Sequence, residues 1–297
     1  MRFSDLGKRL LFVLWAAPLG WWIINSNISI IPRSIASVYP GQAAVVVLVL
    51  MACFEYTRML RIFYPHNAFW FGYIWLVSYF VLYFDKENII PSDLSIYTLL
   101  MLVALEAFIW GKRNQRKRWV RASLFFSGIA FLYIAGTSLL SLYREPFQSL
   151  FPPRFGAQML SQLGIVTVIA SIFMCDSAAY IFGSLWGKTH FSSISPKKTV
   201  EGSIAGLLAA ILVSGAGWWY LANPMYPRWL GIVLGILIGV FAQIGDLLVS
   251  LMKRYFRVKD ASDMIPGHGG ILDRFDSVFF TAPVLSLFSY TVSRFFG

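Results

Sequence analysis

The sequence predicts an all-α fold, a polytopic integral membrane helical bundle of about nine transmembrane helices with its N-terminus in the cytoplasm. Three observations carry this. The 297-residue chain is 58% hydrophobic and 13% charged, outside the range of a soluble globule. A bilayer core about 30 Å thick takes roughly 20 apolar residues per helix, and apolar runs of that length recur at 10–31, 41–60, 68–84, 95–111, 122–140, 160–183, 202–221, 229–250 and 276–295. Finally, with the N-terminus and every second loop on one side, 19 of the 25 Lys and Arg residues fall there and 6 fall opposite. The positive-inside rule then puts the N-terminus in the cytoplasm and the C-terminus outside.

Taken in order, the first run is too long for a cleaved leader and lacks a small-residue cleavage site, so it reads as a retained signal-anchor. The second carries Glu55 and Arg58, three apart on one helix face, which can satisfy each other as a structural pair. The third and fourth hold little polar chemistry beyond Glu106. The basic run Lys112, Arg113, Arg116, Lys117, Arg118 and Arg121 reads as a stop signal before the fifth span and a patch facing anionic headgroups. Residues 1–157 thus form an N-terminal region of about five spans, and residues 158–297 a region of about four, with cytoplasmic loops 184–201 and 251–275. Nearly every polar interruption of an apolar span lies in the second region. Gly231, Gly235 and Gly239, and the pairs Gly183/Gly187 and Gly202/Gly206, repeat every four residues, a period that lets helix backbones approach closely in lipid. Such faces also permit a homodimer.

Composition excludes several classes. The net charge of +11 is largely the topogenic bias just counted, which speaks against nucleic acid as a partner. Cys53 and Cys175 both sit in apolar spans, so no disulfide framework is expected, and His66, His190 and His268 show no zinc-ligand spacing.

Charge beside hydrocarbon is costly, which makes such clusters functional candidates by default. The densest is Ser250–Asp276, which joins five basic residues, four aspartates and a His-Gly-Gly run. Asp246 and Ser250, four apart, share a helix face, with Lys253 and Arg254 at its exit. An aspartate this deep pairs with an arginine or binds a cation. The second reading is preferred because Asp273 and Asp276 open the next helix, where they can face Asp246 across the hairpin. Carboxylates with a hydroxyl suit Mg²⁺, which uses few protein ligands and leaves room for phosphates. Between them, Pro266, Gly267, Gly269 and Gly270 make a turn whose backbone can approach a ligand. His268, at its centre beside Lys259, is placed to donate to phosphate or carry a proton. In the preceding loop, Ser195-Pro196 starts a turn, Thr199 reads as a helix N-cap, and Lys198 beside it suits a triphosphate. The glycine spacing of a P-loop is absent there. Asp176, followed by Ser177, either pairs structurally or joins the polar cavity, and its position toward the cytoplasm favours the cavity.

These residues resemble those of the phosphatidate cytidylyltransferases, the CDP-diacylglycerol synthases. The match runs through Ser250, Lys253-Arg254, Lys259-Asp260, Ser262, Ile265-Pro266, His268-Gly269-Gly270, Asp273-Arg274 and Asp276. Upstream it includes Asp176-Ser177, Tyr180, Gly183, Gly187-Lys188, Ser195-Pro196, Lys198-Thr199, Gly202 and Gly245-Asp246. The resemblance covers about residues 160–280; the N-terminal region matches only as a series of apolar spans, with Glu55 an echo. It implies transfer of CMP from CTP to phosphatidic acid, giving CDP-diacylglycerol and pyrophosphate, with Mg²⁺ and a second, monovalent cation. On that reading Asp246, Asp273 and Ser250, with Asp176 and Asp276 nearby, hold the metal. Lys198, Lys259 and Arg274 neutralise phosphate charge, and His268 orients the pyrophosphate or the nucleophile. Ser195, Thr199, Lys253, Arg254, Asp260, Gly269 and Gly270 complete the substrate contacts. The expected location is a bacterial inner (plasma) membrane, with the site on the cytoplasmic side among membrane lipids. The competing reading, a transporter of nucleotides or anionic lipids, needs polar residues reachable from both sides, whereas here they gather toward one.

Overall fold

A computed structural model describes residues 40–60, 115–144, 146–151, 163–190, 198–262 and 269–296, with backbone only over 115–126. Among the described residues the secondary structure is helical: α1 Pro40–Leu60, α2 Gln115–Ser141, α3 Phe147–Leu150, α4 Leu163–Trp186, α5 Val200–Leu221, α6 Leu230–Tyr255 and α7 Leu272–Phe296. Five of them, α1, α4, α5, α6 and α7, are long and apolar enough to cross a membrane, and α2 carries a shorter apolar stretch, Ser127–Ser141. The apolar runs at 41–60, 122–140, 160–183, 202–221, 229–250 and 276–295 all fall on these helices. The runs at 10–31, 68–84 and 95–111, together with Glu106 and His66, lie outside the described residues.

The helices reach further than hydropathy suggests. Helix α2 begins at Gln115, so Arg116, Lys117, Arg118 and Arg121 lie on helix rather than in a loop. Arg, Lys and Gln are good helix formers, and a hydrogen-bonded helix does not stop where its apolar run stops. For the same reason α6 continues through Lys253 and Arg254, and α7 starts at Leu272, which carries Asp273 and Asp276 onto helix. The loops expected at 184–201 and 251–275 are correspondingly shorter.

Packing runs α4 on α5, α5 on α6 and α6 on α7, with α7 also against α2 and α2 against α1. One apolar cluster joins α1 and α2 to the end of α6 and the start of α7 through Cys53, Tyr56, Leu132, Val249, Phe256, Leu272 and Phe279. A second fills the space among α3 to α7, centred on the fully buried Trp218. The Trp218 indole N–H donates to Pro227 O at 3.1 Å, and its ring meets Phe151 and Phe288 edge-on. This cluster runs along the bundle from Trp218 to Cys175, Ala242 and Val278, which lie beside the polar residues.

The four-residue glycine rows mark the helix crossings. A Cβ on Gly202 would lie 2.5 Å from Ala179 O and 2.9 Å from Gly183 Cα, and one on Gly206 would lie 2.7 Å from Cys175 O, so α4 and α5 touch backbone to backbone. On the α5–α6 face, a Cβ on Gly235 would overlap Ser214 Oγ and Ile211 Cα, whereas one on Gly215 would meet open space. Gly235→Ala is therefore expected to destabilise the α5–α6 pair by about 1–3 kcal/mol, since backbone cannot retreat as a side chain can. Gly215→Ala should be neutral or stabilising by up to about 1 kcal/mol. Thermal unfolding of the two purified variants, compared with wild type, checks the contrast.

Candidate functional site

The C-terminal ends of α4 and α6 and the N-terminal ends of α5 and α7 meet at one end of the bundle, bringing together polar side chains that are far apart in sequence. Asp246, on the last third of α6, has one oxygen paired with the Lys198 ammonium. Its other oxygen lies 3.4 Å from Ser250 Oγ, one turn on. Both members of the ion pair are partly exposed, with side-chain exposures of 28% for Lys198 and 33% for Asp246, so each can exchange its partner for a ligand.

Lys198 is held in place by the start of α5. Thr199 is extended (φ −119°, ψ 154°) and its side chain accepts the Gly202 N–H at 3.2 Å, the N-cap that the sequence leads one to expect. The base of the preceding loop is closed by Val200 N–H to Thr189 O at 2.9 Å, by the Glu201 carboxylate on Thr189 N–H, and by a bridge between His190 and Thr199. Gly187 and Gly183 let Thr199 sit against α4, since a Cβ on either would press on its side chain. Thr199→Ala should cost about 1 kcal/mol of stability, and Thr199→Ser should recover most of it; chemical denaturation of both variants measures the difference.

Helices α6 and α7 approach at Gly245, where a Cβ would lie 3.0 Å from Asp276 O. Asp276 is therefore buried beside Asp246, and its Oδ1 accepts the Ser277 N–H at 2.6 Å. Ser277 Oγ lies 3.3 Å from Asp276 Oδ1 and 3.4 Å from Asp176 Oδ2 on α4, bridging the two acids. The charge of Asp246 acts on both Asp176 and Asp276, and Lys198 and Lys253 offset part of that repulsion. Three carboxylates from three helices thus share one electrostatic environment. One turn deeper, the Gln243 side-chain amide donates to Ser203 O at 3.0 Å and ties α6 to α5.

Asp273 faces a different set of partners. Its Oδ1 takes the Lys253 ammonium at 2.5 Å, and its Oδ2 takes the backbone N–H groups of Ala261 at 2.8 Å and Gly270 at 3.1 Å. Helix α6 ends just before, with Val258 N–H bonded to Lys253 O and Arg257 N–H to Arg254 O, both at 3.0 Å, around Arg257 at φ 57°. This is the closing turn that usually places glycine in the left-handed position. With arginine there it costs about 1 kcal/mol. Arg254, Lys259, Asp260 and Arg274 are all exposed. Gly269 adopts φ 82°, a conformation open to glycine.

The structure therefore gathers Asp176, Lys198, Asp246, Ser250 and Asp276 in one group and Lys253, Asp273, Gly269 and Gly270 in an adjoining one. Ser195 and His268 lie outside the described residues. The Glu55–Arg58 pair is not formed: Arg58 is exposed, while Glu55 turns inward to Ser262, Ile271 and Leu272. Three converging donors hold a buried carboxylate better than one solvated arginine on the same helix. Sequence reasoning also missed Ser277, whose signal was a hydroxyl directly after an aspartate in an apolar helix.

Among the described residues no group of three or more His, Cys, Asp or Glu side chains is arranged to hold a metal ion unaided. Asp246 with Ser250 nevertheless suits Mg²⁺, which takes one or two carboxylates and fills its remaining positions with water and phosphate oxygens. Asp273 would have to release Lys253 before joining it.

The cytidylyltransferase family profile matches residues 18–292 of the chain. Among curated relatives, a phosphatidate cytidylyltransferase of Synechocystis sp. is 51% identical over 126 residues, 42% of this chain and 43% of the relative. Proteins of the same name from Staphylococcus haemolyticus and Staphylococcus aureus (strain COL) are 43% and 41% identical over 117 residues, 39% of this chain and 45% of each relative. The matched stretch thus spans less than half the length of these relatives.

Proposed function

Since the chain belongs to the cytidylyltransferase family, we propose that it transfers CMP from CTP to phosphatidate, forming CDP-diacylglycerol and releasing pyrophosphate. The observation that carries this reading is the meeting of Lys198, Asp246, Ser250, Asp176 and Asp276 at one end of a bundle of membrane-spanning helices. A phosphatidate oxygen attacks the α-phosphorus of CTP, a new P–O–P linkage forms, and the bond to the β-phosphate breaks. The nucleophile is already an anion near neutral pH and needs no strong base. The barrier is repulsion between two polyanions, which positioned cations relieve.

In this reading Lys198 exchanges Asp246 for a phosphate of CTP, helped by its place beside the N-cap of α5. Lys253, held by Asp273, presents a fixed positive charge at the exit of α6. Arg254, Lys259 and Arg274, all exposed, meet a lipid headgroup or the nucleotide, with Asp260, Gly269 and Gly270 completing the contacts. Ser195 and His268 complete the substrate contacts. Asp246 and Ser250, with Asp176, Asp276 and Asp273 as neighbours, would hold Mg²⁺; when bound it would neutralise phosphate charge between the two substrates. A second, monovalent cation has the same carboxylates to draw on. The basic-residue distribution supports a cytoplasmic placement of this end of the bundle, on the side where CTP is found, and we take the membrane to be a bacterial inner membrane. The glycine rows are taken up by the α4–α5 and α5–α6 crossings, so a homodimer would use other faces.

The test uses purified protein, CTP labelled at the α-phosphate and mixed micelles containing phosphatidate. Label passing into chloroform-extractable lipid supports the proposal. Movement of nucleotide across reconstituted vesicles without incorporation would support the transporter reading instead.

A further inference from the structure

We infer that Glu55 is a positioning residue for the transfer reaction: together with Asp273 it ties Ala261–Ser262 to Gly270–Leu272. Glu55 sits on α1, more than 200 residues from its partners, and is fully buried. Its Oε1 accepts Ser262 Oγ at 2.5 Å and Ile271 N–H at 2.8 Å, and its Oε2 accepts Leu272 N–H at 2.7 Å. Among the described residues it makes no ion pair. Among the described residues, its donors come from Ser262, just after α6, and from Ile271 and Leu272 at the start of α7.

Asp273 holds the same two stretches from the other side. Ala261 N–H and Gly270 N–H donate to Asp273 Oδ2, while the adjoining Ser262 and Ile271 donate to Glu55. Two carboxylates from different helices thus grip both stretches. Gly270 lies between them: a Cβ there would sit 2.6 Å from Glu55 Oε2. The fit needs glycine at that position for close approach rather than for backbone freedom.

A carboxylate satisfies three donors, and a carboxamide cannot, because its NH₂ must face one of them. Glu55→Gln therefore breaks the grip while nearly preserving volume. Ser262→Ala removes one donor and leaves the carboxylate with two. Glu55 touches neither the Asp246 group nor the exposed basic residues, so its effect on the reaction runs through the stretches it holds. This inference rests on the transferase reading for its kinetic part only.

The experiment combines labelled-CTP kinetics with hydrogen exchange of peptides covering 256–274, on the purified full chain. Glu55→Gln is expected to lower kcat about tenfold or more while the KM for CTP stays within about threefold. Exchange should accelerate locally in 256–274 and stay unchanged in α4 and α5. Ser262→Ala should fall between Glu55→Gln and wild type in both measurements, and it serves alone should Glu55→Gln not purify. Wild-type kcat in either variant, or a loss of protection spread evenly over all helices, would overturn the positioning role. If wild type itself incorporates no label, the proposed reaction fails, and the exchange arm still decides the clamp: unchanged protection at 256–274 in both variants rules it out.

Discussion

Asp246→Asn is expected to abolish measurable incorporation of CTP into lipid, a loss of at least about 10²-fold, while the protein still inserts and purifies. The two halves of this expectation have separate causes. Stability should hardly move, because the Lys198–Asp246 pair is about a third exposed on each side and such pairs contribute no more than about 1 kcal/mol. The change is isosteric, and Gly245, which sets the close approach of α6 to α7, is untouched. Activity should collapse because Asp246 is the carboxylate that connects everything else at this end of the bundle. It carries Lys198 on one oxygen, stands beside Ser250, and shares its charge environment with Asp176 and Asp276. A carboxamide keeps the shape but offers a cation one neutral oxygen. Initial rates with labelled CTP, normalised to folded protein by size-exclusion chromatography, measure the effect. Rates within about threefold of wild type would contradict the assignment.

Asp273→Asn should be as damaging to activity and, unlike the first, damaging to stability, by about 3 kcal/mol. The side chains of Lys253 and Asp273 are only 13% and 9% exposed, so removing the negative member strands an ammonium in a poorly solvated place. The same carboxylate also accepts Ala261 N–H and Gly270 N–H, and all three partners are donors. Asparagine satisfies either the lysine or the two amides, never all of them. The expected signature is a variant with a lowered unfolding temperature and a loosened segment between α6 and α7, in contrast to the well-folded, inactive Asp246→Asn. Thermal unfolding of the two side by side discriminates these outcomes, and equal stability would show that the Lys253 pair contributes little.

Much of the architecture was legible because hydrocarbon imposes a simple rule on sequence. Each apolar run that falls within the described residues is a helix, and the glycine period correctly marks where α4, α5 and α6 meet. Helix ends were less legible, since Arg116–Arg121 lie on helix ahead of the apolar run, whereas Asp273 does open α7 as its spacing suggested. The sequence put Asp246 with Asp273 and Asp276, and Asp176 beside them, because an aspartate in an apolar helix has few alternatives to joining other polar groups; Asp273 instead turns to Lys253. Thr199 could be read as a cap because capping is local. Glu55 could not: its partners lie at Ser262, Ile271 and Leu272, and the nearest cation in sequence, Arg58, offered a cheaper local answer. The commitment of Asp273 to Lys253 was hidden for a related reason. Sequence spacing shows which residues share a helix face, but a loop's backbone donors become visible only once the chain has closed around them.

The claim on which this account turns is that the Asp246 group takes a divalent cation together with the phosphates of CTP. Paramagnetic resonance of Mn²⁺, standing in for Mg²⁺, tests it most directly on purified wild type and Asp246→Asn with CTP present. Wild type is expected to give a protein-bound Mn²⁺ signal that Asp246→Asn loses while remaining folded. Equal binding in the two proteins would contradict it.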